Sequence, residues 1–250
     1  TISSRDTATI SGVISGSGTL TKSGEGTLDV SANNTYTSAI QITEGIFSVS
    51  AGNGIGNSSA VTVSSGARLQ LNVANETIGS LAGAGLVTLN AGTLTVGGAN
   101  TSTAFSGAIQ SEDGGSLVKT GTGTLTLSGN NSYTGTTQIS AGTLNVAGAL
   151  AGTSGVSVLS GATLSGTGSV FANGSSNTLT VAQGAFLAPG SSGAGLFSVN
   201  GHLVLNGRLD ADIGGTTAGT QYDQVAVAGT VTLGANSAFA INYTGTNATY

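Results

Sequence analysis

A hydrolytic nucleophile needs a base beside it, and this chain has many serines but a single histidine, His202. No Gly-x-Ser-x-Gly turn raises a serine above a sheet. Set between Gly201 and Leu203, His202 therefore reads as an outward or corner residue. Carboxylates come next, because glycan-cleaving β-helices use them to hold cations or move protons. Asp210 and Asp212 stand two apart and share a strand face with Arg208, which reads as a neutralised, solvated surface. Glu112 and Asp113 precede Gly114-Gly115 and read as a loop tip. Calcium is a weak candidate at either place, since the Gly-Gly-x-Gly-x-Asp repeat of calcium-binding coils is missing. No Gly-x-Gly-x-x-Gly follows a strand and opens a helix, and no Gly-Lys-Ser/Thr occurs, so a phosphate cradle is not expected. Tyr36 and Tyr133 each follow an Asn-Asn pair. They fit either packing over that corner or a stacking platform for sugars or a partner, and their recurrence at one repeat position favours architecture. The chemistry points to no enzyme and no cofactor.

The elements that must position these residues follow from composition. Only 6% of the 250 residues are charged and 43 are glycine, with one proline and no Gly-X-Y period, which excludes collagen. The hydrophobic share, 38%, is too high for a disordered chain. A net charge of −5 with no basic stripe argues against nucleic acid. With no cysteine there is neither a disulfide framework nor a thiolate metal site. No apolar run approaches the length of a membrane-spanning helix. The chain opens at Thr1 and has no methionine, which suggests a processed or excised piece of something longer.

Aliphatics two apart recur throughout, as in Leu28/Val30, Val61/Val63, Leu69/Leu71/Val73, Leu94/Val96, Leu125/Leu127, Leu144/Val146, Leu203/Leu205, Val225/Val227 and Val231/Leu233. That is strand periodicity with one buried face, punctuated by glycine and asparagine turn signals. Aromatics make up 4% and tryptophan is absent, so blades or sandwiches with large aromatic cores fit poorly. A β-helix with thin aliphatic layers fits better. At roughly 20 to 25 residues per coil and about 4.8 Å between strands, the chain predicts about eleven coils, on the order of 50 Å. The Asn-Asn corners suggest ladders of side-chain amides.

Lys22-Ser-Gly24-Glu-Gly26-Thr-Leu28-Asp-Val, Asn33-Asn34-Thr-Tyr36-Thr and Ile42-Thr-Glu-Gly-Ile-Phe-Ser-Val recur 97 positions later. The second copy reads Lys119-Thr-Gly121-Thr-Gly123-Thr-Leu125-Thr-Leu, Asn130-Asn131-Ser-Tyr133-Thr and Ile139-Ser-Ala-Gly-Thr-Leu-Asn-Val. These residues closely resemble the passenger-associated repeat of bacterial autotransporters. The C-terminal third resembles the end of such passengers, the autochaperone region, in Pro189-Gly190 and in Tyr222-Asp223-Gln-Val225-Ala-Val227-Ala-Gly229. The resemblance implies an all-β, right-handed parallel β-helix (β-solenoid) as a single elongated domain, with repeat-bearing coils over 1–184 (repeats at 22–49 and 119–146) and an autochaperone-like cap over 185–250. Val225 and Val227 are expected to close the last apolar layers, with Asp223 accepting backbone hydrogen bonds at a turn.

The resemblance further implies export across the outer membrane to the cell surface or beyond. The partners are then the precursor's own translocator barrel and the outer-membrane assembly machinery, with a host-cell receptor or glycan in addition. The expected role is a structural stem that supports export, folding and display. Two alternatives are an adhesin binding through its lateral face, and the stem of an enzyme, protease or lipase, lying upstream.

Overall fold

The computed structural model describes residues 6–72, 75–191 and 193–244, and every regular element among them is a strand. Val73, one of the expected inward residues, lies outside the described residues, as do the first five and last six positions of the two expected spans. Most strands are four residues long, such as Thr124–Leu127 and Thr143–Val146. Their β-branched and leucine side chains suit a pleated surface, and glycine supplies the positive φ at the turns, as at Gly121 (66°) and Gly142 (63°).

The strands form parallel sheets of eleven, eight, six and five members, in which each strand pairs with its counterpart one coil away. From Asn75 onward a coil visits the eight-stranded sheet, then the eleven-stranded sheet, then a third face. Ser116–Lys119, Thr124–Leu127 and Asn130–Asn131 make one such coil. The third face begins as the six-stranded sheet and continues as the five-stranded one. The break falls where the Ile109 N–H donates to the Asn131 side chain. Before Asn75 the coils have two strands, and irregular segments 31–39 and 50–59 close the side that the eight-stranded sheet occupies from Asn75 onward.

Parallel register stacks like on like. Leu125, Leu144, Leu164, Leu187, Leu209 and Phe239 form one column through the eleven-stranded sheet. That sheet crosses Gly184 without a break, since Thr163–Gly166 pairs with Phe186–Pro189. The fold is a parallel β-solenoid with a narrow aliphatic interior, as the alternation predicts.

Two features differ from expectation. The repeats are not superposed by moving along the axis. The first lysine strand, Leu20–Lys22, lies in the eleven-stranded sheet, and the second, Ser116–Lys119, lies in the eight-stranded one. Lys22 sits over Ile42 and Lys119 over Ile139, each one coil and 20 residues further on, so 97 positions is not a whole number of coils. The second repeat is the first turned by one face.

The stack also does not close at Val225 and Val227. Both are only half-buried, and a further coil follows in Val231–Leu233 and Ala238–Tyr243. Val231, Leu233, Phe239 and Ile241 sit over interior columns yet are 52%, 54%, 59% and 55% exposed. The physical reason is register: these side chains point along the core, and among the described residues no coil lies beyond them.

Leu125 is 1% exposed, while Thr126 beside it faces out. Leu125→Asp buries an unpaired carboxylate and should destabilise by roughly 3–5 kcal/mol. Thr126→Asp should stay within about 0.5 kcal/mol of wild type. Denaturant melts of the two variants decide; equal losses would mean the inward face is misassigned.

Candidate functional site

The side chains with catalytic potential are engaged in structure. His202 accepts the Thr230 N–H at its Nδ1 (3.0 Å) and lies 2.8 Å from the Thr230 hydroxyl, so it ties its strand to the next coil. Asp210 forms a bidentate pair with Arg208, whose guanidinium also lies 4.6 Å over the Phe186 ring. Asp212 accepts the Asn242 amide at 2.9 Å. Glu112 and Asp113 are exposed ahead of Gly114, which has a φ of 83°, as a loop tip should be. Asp223 accepts the Gly195 and Asp212 N–H groups at 2.6 and 2.8 Å. It therefore accepts backbone donors as expected, but from distant segments and not within a local turn. Burial, and to a lesser degree the Asp212 charge, raise its pKa, while those two N–H donors oppose the shift. Among the described residues no three His, Asp or Glu side chains converge on one point.

Of the autochaperone-like residues, Pro189 is buried and Gly190 exchanges two 2.8 Å backbone hydrogen bonds with Gly166. Tyr222 closes the excursion that begins at Gly214, accepting the Gly219 N–H. Gly229 pairs with Gly201 in the coil below, where a side chain would strike the Gly201 carbonyl and the His202 ring.

The repeat residues form the organised chemistry. Lys22 and Lys119, 2% and 1% exposed, occupy interior columns among aliphatics. An ammonium has three N–H donors, and each lysine directs them at three main-chain oxygens. Lys22 Nζ meets the Ser23, Gly24 and Glu44 carbonyls at 3.3, 2.5 and 3.0 Å. Lys119 Nζ meets those of Thr120, Gly121 and Ala141 at 2.6, 2.9 and 3.2 Å. Two carbonyls belong to the lysine's own turn and one to the next coil, so the charge bridges coils. Burial lowers the pKa of both lysines, and the Glu44 charge partly restores that of Lys22. The Glu44 carboxylate also accepts the Gly24 N–H at 3.0 Å, whereas Ala141 at the matching place offers nothing comparable.

Asn34 and Asn131 are buried and their neighbours Asn33 and Asn130 exposed. Asn34 accepts the Ile14 N–H (2.8 Å) from one coil and donates to the Gly54 carbonyl (2.7 Å) in the coil on its other side. Asn131 accepts from Ile109 (2.9 Å) and donates to Gly129 and Ala149 (both 3.1 Å). The expected amide ladder is therefore absent at these corners, because each amide reaches the backbone of its neighbouring coils. A side-chain ladder occurs elsewhere, running Asp29, Ser48, Asn72 and Asn90 through successive hydrogen bonds.

Tyr36 and Tyr133 are 2% and 0% exposed, which removes the stacking-platform reading. The Tyr133 hydroxyl lies 2.7 Å from Thr137 Oγ1. In the first repeat the residue matching Thr137 is Ile40, and the buried Tyr36 hydroxyl has no partner among the described residues.

Glu76 was not foreseen from sequence. It sits in the interior column above Leu94, 2% exposed, and accepts the Gly54 N–H at 3.0 Å and the Thr77 N–H at 3.2 Å. Gly54 thus joins Glu76 to Asn34 and Ile14, a polar relay through four coils that leads up to the first strand of the eight-stranded sheet on the side that has no strand before it. Burial pushes the Glu76 carboxyl up to about 7 against the pull of its backbone donors. The available signal was Glu76 standing two before Ile78, in the inward phase.

Asn131→Ala strands one buried N–H and two carbonyls and should cost about 2–4 kcal/mol, while Asn130→Ala should cost under about 0.5. Chemical denaturation of both tests this; equal costs would deny the bridge. For Glu76 the folded chain binds the proton more tightly than the unfolded chain, whose glutamate titrates near 4.5. Stability should therefore fall as pH rises from about 4.5 to about 7, by at most roughly 3 kcal/mol from this group. Glu76→Gln should flatten that slope, and an unchanged slope in urea melts across the window would exclude Glu76 as its source.

The family model for the passenger-associated transport repeat matches residues 20–49 and 117–146. No curated protein matches the chain. The two matched segments contain the lysine, asparagine and tyrosine pairs that tie the coils together, and each spans about one and a half coils. Two segments that match the passenger-associated transport repeat, folded into one parallel β-solenoid, make this chain similar to the passenger domains of autotransporters.

Proposed function

We propose that the chain is the structural, non-catalytic stem of an exported passenger, holding an adhesive or effector region away from the outer membrane at the cell surface or beyond. One observation carries this reading: the repeat spends its polar residues inward. Lys22, Lys119, Asn34, Asn131, Tyr36 and Tyr133 are all buried, and all but Tyr36 bond to groups within the stack. A residue spent on joining coils serves length and rigidity, not recognition. Low charge and abundant glycine, serine and threonine keep the unfolded chain pliable while it crosses the translocator barrel of its own precursor.

The second half of the proposal concerns order of folding. Residues 185–250 act as an autochaperone, folding first and templating the earlier coils by strand addition. Support comes from the dense cross-coil bonding of Asp223, Gly190 and His202 and from the general rule that solenoid coils gain stability from neighbours.

A stem should tolerate loss of a whole coil. Thr136 pairs with Gly155, so deleting Thr136–Ser154 removes one coil in register. In the full precursor this deletion should leave surface display near wild type, whereas deleting Ala185–Tyr250 should reduce it at least about tenfold and slow refolding of the purified chain. Loss of display on removing the single coil would overturn the stem reading. Normal refolding without 185–250 would overturn the autochaperone reading alone.

A further inference from the structure

Four asparagines in the chain are followed by glycine: Asn53, Asn173, Asn200 and Asn206. This dipeptide is chemically vulnerable, because a glycine nitrogen with no Cβ beside it closes easily on the carboxamide of the residue before. The fold guards three of the four. Gly54 is buried, and its N–H is engaged twice, by the Ala51 carbonyl at 3.1 Å and the Glu76 carboxylate at 3.0 Å. Asn200 donates its side-chain amide to the Phe171 carbonyl at 3.1 Å, and Gly201 is buried so closely that a side chain would strike the Asn177 carbonyl. Asn206 and Gly207 donate their main-chain N–H groups to the Val181 carbonyl at 2.8 and 3.1 Å, and Gly207 is buried against the carbonyls of Ala182 and Ala185.

Asn173 and Gly174 stand outside this protection. They lie in residues 171–177, which join Ser169–Val170 on the third face to Thr178–Val181 in the eight-stranded sheet; the matching joins in the two coils before, 151–154 and 132–135, are shorter. Both residues are exposed, and among the described residues neither the Asn173 carboxamide nor the Gly174 N–H makes a hydrogen bond. A side chain on Gly174 would meet nothing within 4 Å, so this side of the turn is open to solvent. The pair forms the centre of a turn closed by the Ser175 N–H on the Ala172 carbonyl at 3.2 Å, with Gly174 at a φ of 77°. That long bond must open before the backbone reaches the geometry for ring closure, which slows the reaction by at most about tenfold.

We propose that Asn173 is a site of spontaneous deamidation, with water as the co-reactant, and that the folded chain confines the reaction to this one Asn-Gly pair. The Gly174 nitrogen, having lost its proton to hydroxide, attacks Cγ of Asn173. The new N–Cγ bond forms, the Cγ–Nδ2 bond breaks, and ammonia leaves with a proton taken from solvent. Water then opens the five-membered imide at either carbonyl, giving aspartate at position 173 or isoaspartate, in which the main chain runs through the former side-chain carbon. The sum is amide plus water to carboxylate plus ammonium, and nothing is oxidised or reduced. The product adds a negative charge to an outward loop of a chain in which only 6% of residues are charged, and it leaves the interior columns untouched. The inference stands on the loop's geometry and does not rest on the stem reading.

Ageing the 250-residue chain at mildly alkaline pH tests it, once folded, as verified by circular dichroism, and once unfolded in urea. Peptide mapping by mass spectrometry reads a gain of about one dalton at each Asn-Gly pair, and an isoaspartate-specific methyltransferase reads the rearranged product. Unfolded, all four pairs should convert at similar rates. Folded, position 173 should keep within about tenfold of its unfolded rate, while positions 53, 200 and 206 should slow by at least about a hundredfold, since they react only when the surrounding coils open. The folded wild type should also gain an acidic form on ion exchange, and Asn173→Gln, whose longer side chain closes a less favourable ring, should gain it far more slowly. Folding that slows position 173 as much as the other three overturns the proposal. So does conversion at 53, 200 or 206 that keeps pace with 173 in the folded chain, or an Asn173→Gln chain that acquires the acidic form at the wild-type rate.

Discussion

Everything in this molecule depends on one constraint: each coil must present its backbone to the next in parallel register, because the interior is too thin to hold the coils by burial alone. Strands satisfy that demand by their ladders. Corners do not, since the chain changes direction there and its carbonyls point away from any strand partner. A buried carbonyl without a donor is costly. The repeat lysines answer this where three such carbonyls diverge, since one ammonium has three donors that fan out over the same volume. Its burial carries a desolvation cost, visible in the lowered pKa of both lysines, and the carbonyl dipoles offset that cost without a carboxylate in the case of Lys119.

The same constraint sets the glycines. Gly45 and Gly142 lie at matching repeat positions with φ of 64° and 63°. A side chain at Gly45 would run into the carbonyls of Gly24, Glu25 and Gly26, and one at Gly142 into those of Gly121 and Gly123. The carbonyls of that crowded turn include the ones that meet the lysine. Glycine there is a condition of the lysine cage as much as of the turn, because the coil above must come close enough to contribute its own carbonyl from Glu44 or Ala141.

The all-β solenoid was legible because alternation is a local signal: Leu125/Leu127 and Leu144/Val146 state their inward face without reference to anything distant. The internal repeat was legible for the same reason. Its rotation was not. An offset of 97 residues says that a segment recurs, but the face on which it recurs depends on the summed lengths of every intervening coil. The burial of Lys22 and Lys119 went unread, although phase, Lys119 two after Leu117, placed the second of them in the core. Glu76 was missed in the same way. In both cases the period was right and the chemistry misled, since the partners that make burial tolerable are main-chain groups a coil away and leave no mark in the sequence.

Rotation of the repeat carries its own consequence. If the lysine, asparagine and tyrosine set required a particular sheet, its two copies would occupy the same sheets. Instead the lysine strand of one lies in the eleven-stranded sheet and that of the other in the eight-stranded sheet, with the internal bonds of the lysine and asparagine preserved. The set is therefore a lock between neighbouring coils that is indifferent to face, needing only a turn, a corner and the next coil at its 20-residue spacing. Differences between the copies follow the local surroundings. Ile40 in place of Thr137 leaves the Tyr36 hydroxyl without a partner among the described residues, and Glu44 in place of Ala141 adds a carboxylate beside the cage. A lock of this kind can be placed anywhere along a solenoid without resetting its register. A chain built of near-identical, weakly charged coils can then grow in length while its corners remain satisfied at intervals, and the aliphatic columns between the locks need only keep their alternation.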